Sequence, residues 1–105
     1  MKKIPDHLSK EAKAWFSDIL AEYGIEDPAG LLLLQTAMEA FDRMRGAQAT
    51  IAQDGASFKD RFEQIKSHPL LATERDARSQ MIQSLKALNL DLEPLKDGPG
   101  RPGGS

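Results

Sequence analysis

The chain has 105 residues, 40% of them hydrophobic, which fits a single domain with a modest core. It contains no cysteine, which excludes disulfides, thiolate zinc sites and cysteine nucleophiles and suits a reducing cytosol. Its 14 basic and 16 acidic residues give a formal net charge of −2, so the whole chain has no positive field to hold nucleic acid. The longest apolar run is Leu31–Leu34, so we expect neither export nor membrane insertion.

The first predicted helix runs from about Ser9 to Tyr23. Ser9 is a suitable N-cap, and Gly24 can end the helix in the left-handed conformation. Apolar residues recur at steps of three and four, as one buried stripe requires. A base-stacking role for Trp15 and Tyr23 is the alternative, and we favour packing because both lie on the stripe. The stripe consists of Ala12, Trp15, Phe16, Ile19, Leu20 and Tyr23.

The second predicted helix begins at Asp27-Pro28, where aspartate caps the helix and proline occupies its first turn. One apolar face continues from Leu31 to Ile51, until Asp54-Gly55 ends it. This face spans about six turns, which is long for a small domain.

The second helix also has a surplus of apolar surface. Leu32, Leu33 and Ala37 widen its apolar arc beyond what one antiparallel neighbour covers. We therefore predict a subunit interface at these residues, with a thick core as the alternative. Gly46 lies in mid-helix, where it marks a bend or a close helix approach.

Residues 56–66 fit a helical turn, a loop or a short hairpin, and the pattern does not decide among them. Ser67–Pro69 reads as the next helix start, because the residue before proline avoids the helical region. A third helix follows from Leu70 and ends near Leu88, where Asn89 can supply a left-handed cap.

Composition predicts one helical domain over residues 1–93 and a flexible tail over 94–105, which is rich in proline and glycine. The fold class is therefore all-α, with three main helices, a long central one, and a short loop or hairpin before the last. Within the tail, Gly100–Pro102 matches the core of an AT-hook, which lays arginine into a narrow minor groove. One arginine without a basic flank favours a plain tail.

The sequence holds no recognisable catalytic motif. His7 and His68 stand at helix entrances, apart from any metal-ligand pattern, so we predict capping or surface roles. The glycine cluster lacks the features of a phosphate-binding loop, and the carboxylates lie among basic residues. We therefore expect no enzyme, no metal site and no cofactor. Predicted i,i+4 ion pairs are Glu39–Arg43 and Glu74–Arg78.

Basic residues gather in the second half of the chain and are our candidate DNA contacts. For any single cation, an ordinary ion-paired surface is the alternative. In a symmetric ring each cation recurs in every subunit, so phosphate neutralisation sums over the copies. The predicted patch is Lys59, Arg61, Lys66, Arg75 and Arg78, with Arg43 and Arg45 in reserve.

Several segments, taken in order, resemble the phage terminase small subunit family. The resemblance covers nearly the whole chain, extends to the Gly-Arg-Pro tail, and depends on the order and spacing of the segments more than on any one of them. The segments are Pro5–Phe16, the long helix after Asp27-Pro28, Asp60–Lys66, His68–Arg78 and Leu85–Leu90.

The resemblance implies a role in packaging viral double-stranded DNA in the host cytoplasm. It implies a homo-oligomeric ring that recognises the packaging-start region and regulates the large terminase subunit, which carries the ATPase and nuclease centres. No membrane partner is implied. This chain departs from the family in its slightly acidic balance and in having almost no basic extension before the first of these segments. The alternative is a helical interaction or regulatory module without DNA contact. A compact helix-turn-helix repressor fits less well, because the second helix is too long for that motif.

Overall fold

A computed structural model describes residues 4–59, 61–62 and 64–90, apart from the side chain of Phe58. The all-α prediction is confirmed, and the undecided segment after the central helix contains a short antiparallel β-hairpin. The predicted tail and its Gly-Arg-Pro segment lie outside the described residues. The elements are α1 (Lys10–Tyr23), α2 (Pro28–Asp54), β1 (Ser57–Lys59), β2 (Ile65–Ser67) and α3 (Leu70–Ala87).

Helix ends follow the capping residues that the sequence indicated. The Ser9 hydroxyl accepts from the Ala12 N–H at 3.0 Å, and the Asp27 carboxylate accepts from the Gly30 N–H at 2.8 Å. Each bond satisfies a backbone donor that has no partner inside its helix. Gly24 ends α1 with φ 59° and Asn89 follows α3 with φ 60°, both in the left-handed region.

The central helix α2 packs against both α1 and α3. Side-chain contacts give the direction of α3, because Arg43 contacts Gln80 whereas Gln48, further along α2, contacts Glu74, earlier in α3. The two helices therefore run antiparallel. The core combines facing residues of these two helices, one stripe of α1 and two residues outside the helices, Leu8 and Ile25. Its other members are Ala12, Phe16, Leu34, Ala37, Met38, Phe41, Met44 and Ala77.

Polar contacts fix the start of α1 onto the middle of α2. The backbone N–H of Ser9 donates to Asp42 Oδ2 at 2.8 Å, and its hydroxyl donates to the other oxygen of that carboxylate. Just before the helix, His7 Nε2 lies 2.8 Å from Glu39 Oε2. The N-cap of α1 is thus also its docking contact, so local helix initiation and tertiary packing share one group.

Burial corrects two sequence predictions. Ala37 is fully buried in the core, so its assignment to a subunit interface was wrong. Leu32 is 64% exposed and Leu33 is half-buried, so the exposed part of the surplus apolar arc lies at Leu32. Trp15 is 48% exposed and does not belong to the core, whereas Tyr23 packs against it as predicted.

Two glycines of α2 differ in their surroundings. A Cβ added to Gly46 would meet no atom within 4 Å, so no other helix approaches it closely. A Cβ at Gly30 would lie 2.9 Å from both Asp27 Oδ1 and Ile25 Cγ2, inside their van der Waals contact. Gly30 therefore lets the capping segment fold back over the first turn of α2, whereas Gly46 carries only the entropic cost of glycine in a helix.

Replacing Gly46 with alanine should raise the free energy of unfolding by about 0.5–1 kcal/mol, because a residue with a better helix propensity enters open space. Gly30→Ala is the matched control and should lower it. Urea denaturation followed by circular dichroism measures both. Equal destabilisation by the two changes would contradict the open space at Gly46.

Candidate nucleic-acid interface

The seven cations that the sequence assigned to DNA lie on three different parts of the fold. Some lie on or between the strands of the hairpin, some on α3 and some on the middle of α2. They also differ in whether they already form ion pairs or hydrogen bonds with neighbouring side chains. The hairpin carries Lys59, Arg61 and Lys66, α3 carries Arg75 and Arg78, and α2 carries Arg43 and Arg45.

Strand register separates the two lysines of the hairpin. Lys59 pairs with Ile65 across the ladder, and Lys66 pairs with Phe58. Because successive side chains point to opposite faces of a strand, Lys59 and Ile65 share one face and Lys66 lies on the other. In the turn, the guanidinium of Arg61 lies 5.1 Å from the ring centroid of Phe62.

The outer face of α3 carries exposed cations. Arg75 is 72% exposed and contacts only its neighbour Asp76 among the ion pairs of the described residues, at 3.4 Å. Arg78 lies three residues later, which places it on the adjoining part of the same face. Sequence analysis missed Lys86, which is also exposed. Its spacing of eleven residues from Arg75 is about three helical turns, and this signal was available in the sequence.

A continuous polar network joins all three helices and includes two of the predicted DNA contacts. Arg45 lies 3.3 Å from the Glu11 carboxylate and donates to Gln48 Oε1 at 2.8 Å. The Gln48 amide then donates to Glu74 Oε2 at 2.9 Å. Arg78 donates to the same carboxylate from the solvent side. Arg45 therefore links α2 to α1, and Arg78 holds in place the Glu74 carboxylate that links α3 to α2.

Glu74 is the buried member of this network, with 7% of its surface exposed. Hydrogen bonds from Arg78 and then Gln48, with the positive charge of Arg78, lower the pKa of Glu74 against the opposing effect of burial. A buried carboxylate is stable only when it is paired and hydrogen-bonded, and Glu74 is both. The predicted Glu74–Arg78 pair is confirmed.

Arg43 lies on the other edge of the α2–α3 contact, where it donates to Gln80. Glu39 accepts instead from Gln35 at 3.0 Å and lies beside His7. The hydrogen bonds from Gln35 and then His7 lower the pKa of Glu39, and the charge of Arg43 adds a smaller effect. The i,i+4 spacing identified neither His7 as a partner of Glu39 nor Gln80 as a partner of Arg43.

His68 caps α3 with its ring, in agreement with the predicted capping role. Nδ1 lies 3.0 Å from the Leu70 backbone N–H and accepts from it, while Nε2 lies 3.0 Å from Asp54 Oδ2. An accepting Nδ1 places the proton on Nε2, which donates to Asp54. The backbone N–H of His68 also donates to the Ala56 carbonyl at 2.8 Å. This buried ring thus closes the base of the hairpin.

A shallow apolar groove lies between α1 and the end of α3, and sequence analysis did not anticipate it. Its volume is about 280 Å³. Two carboxylates, Asp18 and Glu22, stand among the apolar side chains that line it. The remaining lining residues are Trp15, Ile19, Tyr23, Leu85 and Leu90.

Comparison with known proteins places the chain in a family. The family model for the phage terminase small subunit matches residues 12–93. The chain belongs to this family. The terminase small subunit is generally the non-catalytic subunit, and within the described residues no group of three His, Cys, Asp or Glu side chains could hold a metal ion.

No curated protein and no solved structure matches this terminase small subunit. Its described helices include none that is long and apolar enough to cross a membrane.

Stability should depend on pH through Glu74. Because folding lowers its pKa, the carboxylate stabilises the folded chain above the ordinary glutamate value of 4.5, and this contribution is lost as pH falls through the lowered value. Glu74→Gln should therefore be less stable than the unmodified chain at neutral pH, with a gap that closes in acid. Denaturant titrations at several pH values measure the gap.

The control for this comparison is Asp76→Asn, whose side chain is 75% exposed and paired only at the surface. It should change stability little throughout, since exposed ion pairs contribute little. A Glu74→Gln gap that stayed constant from neutral to acidic pH would assign the loss to packing and contradict the role of the charge.

Proposed function

We propose that this terminase small subunit binds viral double-stranded DNA at the packaging-start region and regulates the large subunit, without enzymatic activity of its own. The observation that supports the proposal most is the family match over residues 12–93, and the exposed cations of α3 supply a surface for it. The ATPase and nuclease centres then belong to the large subunit, which agrees with the absence of catalytic motifs in the sequence.

The proposed contact surface centres on Arg75. This side chain is the most exposed of the arginines that form ion pairs in the described part of the chain. Lys86 extends the surface along α3, and Arg78 lies at its edge, where its pairing with Glu74 leaves its side chain 53% exposed. Two or three phosphate contacts per subunit would bind weakly, but they add over the subunits of an oligomer.

Arg75→Ala should weaken binding to duplex DNA and reduce the slope of log affinity against log salt by about 0.9 for each phosphate that is no longer neutralised. Arg45→Ala is the control, because it removes the same charge from a cation that is less exposed than Arg75 and lies on α2, outside the α3 surface. Fluorescence anisotropy at several salt concentrations measures both. Equal decreases of affinity in the two variants would show that net charge, and not the α3 surface, determines binding.

Self-association is the second part of the proposal. A chain of this size has a small core, so contacts between copies add stability that a single copy lacks. Leu32 is 64% exposed near the start of α2, beside the half-buried Leu33. An exposed leucine beside a half-buried one favours a contact with another chain.

Leu32→Glu should lower the native mass of the purified protein, because it places a charge in the proposed contact. Ile82→Glu is the control, since Ile82 is an exposed apolar residue of α3 with similar size. Light scattering gives the mass, and circular dichroism verifies the helix content. An unchanged mass for Leu32→Glu would remove Leu32 from the interface.

A regulatory module without DNA contact is the second candidate. The acidic balance of the chain and the involvement of Arg45 and Arg78 in the polar network favour it. Under this alternative, the unmodified chain would show no DNA binding even at low salt, while it would still associate with the large subunit. The anisotropy experiment therefore separates the two candidates before any variant is made.

A further inference from the structure

The groove between α1 and α3 combines an apolar floor with acidic side chains. Trp15, which is 48% exposed, and Ile19 contribute apolar surface on the α1 side, and Leu85 contributes it on the α3 side. Asp18 and Glu22 are exposed and lie one turn apart on α1. This combination suits an occupant that presents apolar side chains together with positive charge.

The hairpin of the same chain has those properties. Ile65 is 73% exposed and Phe62 is 67% exposed, which are high values for large apolar side chains. Lys59 lies across the ladder from Ile65, on the same face, and Arg61 lies in the turn. An isolated two-stranded hairpin is marginally stable in water, so covering this face would also stabilise the hairpin itself.

The hairpin cannot fill the groove of its own subunit. It joins the end of α2 to the start of α3, where His68 and Asp54 close its base. The groove lies at the opposite end of α3, at Leu85 and Leu90. The helix from Leu70 to Leu85 spans about 22 Å. Hairpin and groove are therefore at opposite ends of one subunit.

We propose that the hairpin of one copy docks into the α1–α3 groove of a second copy. Ile65 enters the apolar floor, and Lys59 approaches Asp18 and Glu22. The proposal rests on the self-association proposed above and identifies the two surfaces, hairpin and groove, that form the junction between copies. The contact joins two different surfaces, head to tail, and such contacts generate rings when the rotation closes. Leu32 lies at the groove end of the bundle, because the start of α2 is opposite the end of α3.

This arrangement divides the hairpin into two faces with different roles. The face with Lys59 and Ile65 meets the neighbouring subunit, whereas Lys66 lies on the opposite face. In an assembled ring, Lys66 would remain outside the junction and could still contact phosphate. The exposed apolar side chains, which DNA contact alone would not require, are then accounted for by protein contact.

The first experiment uses two variants of the full chain, one for each side of the junction. Ile65→Asp places a charge in the docking face, and Asp18→Lys/Glu22→Lys reverses the charge of the groove. Each should weaken self-association about tenfold or more. Ile65→Asp buries a charge that has no partner, and the two new lysines of the groove variant face Lys59, which has the same charge. Ile82→Asp is the matched control and should retain the mass of the unmodified protein. Circular dichroism verifies that all variants keep their helices.

Mixing the two variants tests the head-to-tail geometry. The hairpin variant keeps an intact groove, and the groove variant keeps an intact hairpin. A one-to-one mixture should therefore form a complex of twice the monomer mass and no larger species, because only one junction can form. Native mass spectrometry measures this directly. If the mixture remains monomeric while the unmodified chain forms oligomers, the proposed junction is wrong.

Other results identify other occupants of the groove. An unmodified chain that is monomeric at high concentration would overturn the proposal and leave residues 91–105 or a different protein to cover the groove. Oligomers that persist in both variants would place the interface elsewhere. Neither result concerns DNA binding, which the Arg75→Ala comparison tests separately, so failure of the junction and failure of the DNA proposal can be distinguished.

Discussion

The fold depends on the burial of α2 on two sides. A single long helix has only one buried stripe in most small domains, but α2 contacts both α1 and α3, so its alanines and methionines face two neighbours. Ala37 and Ala40 are fully buried, which allows the helices to approach closely. Without α2 neither of the other helices would have a surface against which to bury its apolar stripe, because a short isolated helix is marginal in water.

The polar contacts add direction and register to this apolar packing. Asp42 receives two hydrogen bonds from Ser9, and Glu74 receives hydrogen bonds from two other helical positions. Apolar side chains can pack in several registers with similar energy, whereas a half-buried carboxylate requires its donors at fixed places. The network from Glu11 to Arg78 therefore selects one arrangement of three helices. Arg45 and Arg78 already pair with carboxylates in this network, so they are less available to DNA phosphates.

The remaining exposed groups divide by chemistry between the two proposed activities. Cations on the outer face of α3 suit phosphate, because Arg75 is 72% exposed and its ion pair with Asp76 lies at the surface, where such pairs are weak. Apolar side chains on the hairpin and in the groove suit protein contact, because their burial releases water. In a ring these two surfaces need not compete, since the junctions run around it while the α3 faces are presented once per subunit.

The sequence by itself determined the local structure. Ser9, Asp27 and Gly24 specified helix ends because capping depends on groups within a few residues, and the apolar period specified which elements are helical. The order of the segments also indicated the family, which the family match confirmed.

Only the tertiary structure decided which residues meet at long range. Periodicity assigned Trp15 to the core and Ala37 to an interface, but exposure depends on where the neighbouring helices lie, and both assignments were reversed. Similarly, Arg45 reads as a free cation until Glu11, 34 residues away, is placed beside it. Hydrogen bonds and burial of this kind depend on distances in space, which the spacing of residues along a chain does not contain.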